Sequence, residues 1–136
     1  MLLNHYLASK YTLRYTGGMV PDVYYILIAG GGVFCNPSCP AHKQKLRLLY
    51  ECAPIAMIVE CAGGLSSNGK TNSLLDVEIA SLADTTDVCV GSPSEVRRYR
   101  SLINAPNPGK SLWQSFRLAS LHTRHLAQLD CHETLP

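Results

Sequence analysis

Residues 45–62, KLRLLYECAPIAMIVECA, constrain this chain more than any other stretch. Two cations two apart, Lys45 and Arg47, precede a carboxylate, Glu51, and then a run apolar on nearly every side. A helix that is hydrophobic all round is buried, so residues 46–62 are expected to form a buried helix. Pro54 should kink that helix or set its true start, because the residue before a proline is pushed away from helical angles. Gly63 and Gly64 close it. Charge beside an apolar segment is costly to bury unless it is paired or meets a charged ligand. Phosphate oxygens for Lys45 and Arg47, and a hard metal for Glu51, would satisfy that demand. An ordinary surface role for the cations, or a capping role for the carboxylate, is the plainer alternative.

A second segment has the same character. In RYTGGMVPD, residues 14–22, a β-forming run from Tyr11 to Tyr15 stops at Gly17 and Gly18. A helix is expected from Met19 to Ile28, with Pro21 tolerated in its first turn. A helix start presents free N–H groups and the positive end of the dipole, and glycines allow a ligand to approach closely. Tyr15 could donate its hydroxyl to a phosphate oxygen, although a half-buried tyrosine is an ordinary finding in a core. Asp22, Glu60 and Asp76 are read as structural, Asp22 because an acid complements the dipole of a first helical turn.

The rest of the chain alternates the two periodicities. Gly30 to Gly32 stop the first helix and Val33-Phe34 begins a strand; residues 36–43 read as a loop. Leu65 to Lys70 reads as a strand leading into a turn signalled by Asn68-Gly69, and further strands are expected at Leu74 to Val77 and Asp87 to Val90. Residues 91–94, GSPS, should cap a helix over residues 95–102. This alternation predicts an α/β domain, a layered mixed β-sheet flanked by helices, over residues 1–103. Residues 104–109, NAPNPG, break the pattern, and 104–136 are read as a linker and unassigned tail that is either a docking helix or a solvated extension.

Composition excludes several functions. With 46% hydrophobic and 16% charged residues the chain should fold rather than stay disordered. A net charge of +2 is too small for a nucleic-acid binder that works by bulk electrostatics, and no apolar run is long enough to span a bilayer. The N-terminal residues lack the layout of a secretory signal. Of the six cysteines, Cys52, Cys61 and Cys89 sit among apolar neighbours, which points to reduced thiols and a cytoplasmic protein. Cys35, Cys39 and His42 have a loose zinc-like spacing without a fourth ligand at standard distance. The five histidines are scattered and define no catalytic arrangement.

Residues 12–23 (TLRYTGGMVPDV), 45–64 (KLRLLYECAPIAMIVECAGG) and 88–96 (VCVGSPSEV) resemble, in order, the C-terminal half of the metal-dependent sugar bisphosphatases. That family includes the fructose-1,6- and sedoheptulose-1,7-bisphosphatases. TLRYTGGMVPDV followed by VFCNP is closer to the sedoheptulose branch, since the fructose branch carries a tyrosine where this chain has Asn36. The resemblance implies that Arg14 and Tyr15 contact the distal phosphate of the sugar, the arginine often from a neighbouring subunit of a homo-oligomer. It implies that Gly18 and Met19 lie along the sugar and that Lys45 holds substrate phosphate. Arg47 would lie beside the metal-binding glutamate, Glu51, at the reacting phosphate, with Mg2+ as cofactor and a sugar bisphosphate as substrate. The family's main metal loop, Asp-Pro-[Ile/Leu]-Asp-Gly, does not occur in the chain. Metal-assisted phosphoester hydrolysis needs more than one carboxylate to hold its ions, so the isolated chain is expected to be inactive, or a non-catalytic binding or assembly module.

Overall fold

The computed structural model describes residues 2–38, 43–105 and 127–130. In chain order the elements are α1 (Leu2–Ala8), β1 (Thr12–Arg14), α2 (Met19–Ala29), β2 (Val33–Asn36), a π-helical turn (Leu48–Cys52) and α3 (Ala53–Cys61). They continue with β3 (Leu65–Ser67), a 3-10 turn (Leu74–Asp76), β4 (Val88–Gly91), α4 (Pro93–Ile103) and β5 (Ala127–Asp130). The strands form one sheet in the order β1-β5-β2-β4-β3.

Helices cover both faces of that sheet, and the two-residue alternation of the strands divides the core between them. Phe34, Val88 and Val90 face a cluster with Met19, Val23 and Ile26 of α2 and Ala56 and Val59 of α3. Val33, Cys35 and Cys89 face the opposite cluster, with Tyr6 of α1 and Val96 and Tyr99 of α4. Because β2 and β4 are buried on both sides, they carry almost no polar side chains. Each large side chain so buried contributes about 1.5–3 kcal/mol relative to an exposed one. The layered α/β arrangement is therefore the one expected.

The pairing within the sheet differs from a mixed one. All four described ladders are antiparallel: β1 with β5, β5 with β2, β2 with β4, and β4 with β3. The alternating helices do return β1, β2 and β3 in a common direction, but β5 and β4 run the other way between them. Two further expectations need correction. Residues 74–77 make a 3-10 turn rather than a strand, because Ser73 accepts from the Leu75 N–H and Ser66 Oγ accepts from the Leu74 N–H. Side-chain acceptors thus take the donors that a ladder would need.

The second correction concerns residues 46–62, which are neither one helix nor buried all round. Pro54 has no N–H to give to the Tyr50 carbonyl and its ring would crowd that group, so the preceding turn widens into the π form. The Cys52 N–H reaches back five residues to the Arg47 carbonyl at 3.0 Å. Only Leu48, Cys52, Ala56 and Val59 are buried, while Met57 and Ile58 are more than half exposed. Cys61 is also exposed, unlike the buried Cys35, Cys52 and Cys89.

Helix α1 and strand β5 were not anticipated. Tyr6 pins α1 to the core and packs against Tyr11 with ring centroids 5.0 Å apart.

Candidate functional site

The candidate residues lie on two arms. The first is the turn from β1 into α2. The Thr16 N–H donates to Asp22 Oδ1 at 3.2 Å, and the Asp22 N–H donates to the Gly18 carbonyl at 3.4 Å. Asp22 is fully buried, so this acid staples the turn to the first turn of α2. Its Oδ2 is buried with no hydrogen-bond partner among the described residues. Gly17 sits at φ +89°, a conformation that glycine takes without steric cost, and extended Gly18 is the N-cap of α2. The N–H groups of Met19 and Val20 then belong to the free donors of a helix start.

Three side chains leave this arm in different directions. Met19 is buried and anchors the turn in the core. Tyr15 is exposed, its hydroxyl 3.9 Å from where a Cβ on Gly17 would stand. Arg14 is seated on α2: its guanidinium lies 4.1 Å over the Tyr25 ring and Nη2 donates to the Tyr25 hydroxyl at 2.9 Å. Sequence reading missed Tyr25. The available signal was its position three residues after Asp22, on the same side of the helix that faces the turn.

The second arm is residues 45–51. Extended Arg47 bridges Thr85, with the Leu48 N–H donating to the Asp84 carbonyl at 2.8 Å and the Thr86 N–H to the Leu46 carbonyl at 3.2 Å. Glu51 Oε2 accepts the Arg47 N–H at 2.5 Å, so one carboxylate oxygen caps the π turn. Arg47 Nη1 donates to the Lys45 carbonyl at 3.2 Å, and Lys45 itself is exposed. Lys45, Arg47 and Glu51 are thereby held together. The arms share a root, since Met19 of the first and Cys52, the residue after the second, lie in one core cluster, with Leu46 of the second arm packed against it. Burial, and then the negative charge of Glu51, push the Cys52 thiol up to about 12, so it stays neutral beside the carboxylate.

A metal centre is not completed by the described residues. No three of their His, Cys, Asp and Glu side chains are grouped to hold an ion. A hard divalent cation takes about six oxygens, and Glu51 has one oxygen committed to Arg47. Glu51 fits such an ion only as one ligand among several supplied from elsewhere. Glu60 behaves structurally, Oε1 accepting from Ser66 at 2.5 Å and Ser73 at 2.7 Å. Cys39 and His42 of the zinc-like spacing lie outside the described residues.

Comparison with known proteins gives this geometry a context. The sequence profile of the family described as "Fructose-1-6-bisphosphatase, C-terminal domain" matches residues 1–104. The chloroplastic sedoheptulose-1,7-bisphosphatase of Chlamydomonas reinhardtii is 48% identical over 79% of this chain and 28% of its own length. The class 1 fructose-1,6-bisphosphatase of Helicobacter hepaticus is 46% identical over 70% of this chain and 34% of its own. Among solved structures, the Leishmania major fructose-1,6-bisphosphatase in its T-state superposes with a TM-score of 0.60 at 44% identity. That match covers 65% of this chain and 27% of the other. This chain thus spans about a quarter to a third of the length of these relatives.

Proposed function

We propose, since this chain belongs to the family of fructose-1,6-bisphosphatase C-terminal domains, that it supplies the sugar-phosphate-binding half of a sugar bisphosphatase. The observation that carries the proposal is the common root of the two arms: Met19 at the end of the first, and Leu46 of the second with Cys52 directly after it, meet in one core cluster. Arg14, Tyr15 and Lys45 would hold the phosphate that does not react. The backbone at Gly18 and Met19 would lie along the sugar. Arg47 would sit beside the reacting phosphate, and Glu51 would be one ligand of a magnesium ion. Bound magnesium would neutralise phosphoryl charge and steady the leaving oxygen. The chain's own residues orient the sugar and set its register against that ion.

Sedoheptulose 1,7-bisphosphate is the proposed substrate, hydrolysed at the 1-phosphate. Its support is Asn36, which stands where the fructose branch carries a tyrosine and is bonded to Gln44 at the end of β2. Fructose 1,6-bisphosphate suits the relatives equally well and is the competing substrate. A second reading, a sugar-phosphate-binding or assembly module without catalysis, is favoured by Glu51 being the single carboxylate of the two arms proposed to meet an ion. Association with other subunits is part of the same proposal. Its support is an apolar stripe on α2, where Val20, Tyr24 and Ile28 stand one turn apart and are 63–69% exposed. No described helix is long and apolar enough to cross a membrane. Reduced thiols support the cytoplasm as the address, and the relatives named chloroplastic make a plastid the alternative.

Phosphate release tests the proposal. The purified chain with magnesium should hydrolyse either bisphosphate negligibly, and a chimaera restoring the remainder of a relative should hydrolyse it. Glu51→Gln in the chimaera should abolish that turnover. Release by the 136-residue chain alone, lost in Glu51→Gln, would overturn the half-site reading.

A further inference from the structure

The sheet contains a strand that the family domain does not account for. The profile match ends at residue 104, whereas β5 is Ala127–Asp130. Yet β5 is an interior strand, paired with β1 on one side and β2 on the other. Among the described residues β1 stands at the edge of the sheet, and β5 is its sole neighbour. With β5 removed, three-residue β1 would be cut off from the sheet, and β2 would face it across an unpaired edge. Unpaired backbone groups are costly when buried and recruit other strands when exposed. A strand-wide slot between two strands that run the same way is a receptor for one extended antiparallel segment.

We propose that residues 127–130 close, from within this chain, a strand-wide gap in the sheet of its family domain, and that this strand holds β1 in place. The Arg14–Gly18 turn is carried along with β1. One observation is the position of β5, central in the sheet although it lies beyond the matched domain. Another is register: Leu129 stands opposite both Leu13 and Val33, and Gln128 opposite both Arg14 and Phe34, so a single placement satisfies both neighbours. The third is the weakness of β1, which is too short to be stable unpaired and exposes Thr12 and Leu13. The inference concerns the order of the sheet and does not depend on any phosphate being bound.

Two measurements on the full chain test it. Residues directly opposite across a ladder are within disulfide reach. Under mild oxidation the double variant Leu13→Cys/Leu129→Cys should form an intrachain 13–129 bridge, identified by peptide mapping. That bridge should form well ahead of the corresponding one in Leu13→Cys/Gln128→Cys, which is one residue out of register. In the second measurement, Leu129→Pro removes a ladder donor. Amides of Thr12–Arg14 should then exchange with deuterium roughly tenfold faster or more, while those pairing β3 with β4 keep their protection. A peptide of residues 125–132 added in excess should restore the protection. Equal protection of β1 in both chains, no 13–129 bridge above the control, or a bridge joining two chains would each overturn the proposal. Should Leu129→Pro expose β3 and β4 as well, the cross-link decides alone.

Discussion

Replacing Gly91 by alanine probes the joint on which the central strands depend. Gly91 ends β4 opposite Val33 at φ +147°, and a Cβ there would stand 2.3 Å from the Gly32 carbonyl oxygen and 2.8 Å from the Val33 Cα. Both obstacles are backbone, so neither can swing aside as a side chain would. The unfavourable φ costs about 1–3 kcal/mol. Forcing the strands apart adds about 1–3 kcal/mol, as other overpacking changes do. A central sum of about 4 kcal/mol is a large part of the 5–15 kcal/mol that holds a typical domain together. At about 3–5 °C per kcal/mol for a chain of this size, the melting temperature should fall by about 12–20 °C. Gly30→Ala is the internal control: Gly30 also has positive φ, +77°, but a Cβ there meets nothing within 4 Å. It should cost only the left-handed conformational part, about 1–2 kcal/mol. Melting followed by circular dichroism compares the two. Equal shifts for Gly91→Ala and Gly30→Ala would refute the argument that close approach of β2 and β4 demands glycine at residue 91.

Three further outcomes follow from the same structure. Tyr25→Phe keeps the ring under Arg14 but removes the hydroxyl that accepts from Nη2, so it should cost about 0.5–1.5 kcal/mol in urea unfolding, and Tyr25→Ala should cost more. Iodoacetamide at neutral pH should label exposed Cys61 well before buried Cys52, Cys35 and Cys89, as peptide mapping would show; first labelling of Cys52 would contradict its burial. The Cys52 thiol, raised to about 12, keeps its proton in the folded chain at pH values where an unfolded thiol, near 8.5, has lost it. The unfolded state therefore binds fewer protons, and stability from this group falls as pH rises from about 8.5 towards 12. Urea midpoints from pH 7 to 10 should decline less steeply in Cys52→Ala than in the parent chain.

How much of this was legible in the residues depended on whether the cause was local. β1, α2, β2, β4 and α4 follow from alternation, from prolines in first turns and from glycines where the chain must reverse. The widened turn before Pro54 needed more than the proline, because Glu51 had to be in reach of the Arg47 N–H. The apolar flank of α3 reads as buried from sequence, yet Met57 and Ile58 find no cover among the described residues. Ser66 and Ser73 diverted residues 74–76 from a strand through nearby side-chain acceptors, a local cause that the apolar pattern of those residues does not display. β5 was illegible for a different reason: residues 127–130, AQLD, carry a weak local signal, and their partners lie about a hundred residues earlier. The charged candidates of the two arms were visible by residue type. The seat of Arg14 on Tyr25 and the shared root at Met19 and Cys52 required the tertiary structure.

The binding of a sugar bisphosphate to the purified chain tests the account most directly. Isothermal titration with sedoheptulose 1,7-bisphosphate should show saturable binding. Lys45→Ala removes one charged contact to the phosphate that does not react, worth roughly 1.5–3 kcal/mol, so affinity should fall by about tenfold to a hundredfold. Identical titration curves for the parent chain and Lys45→Ala, or no heat from either, would contradict the assignment of the two arms as a sugar-phosphate site.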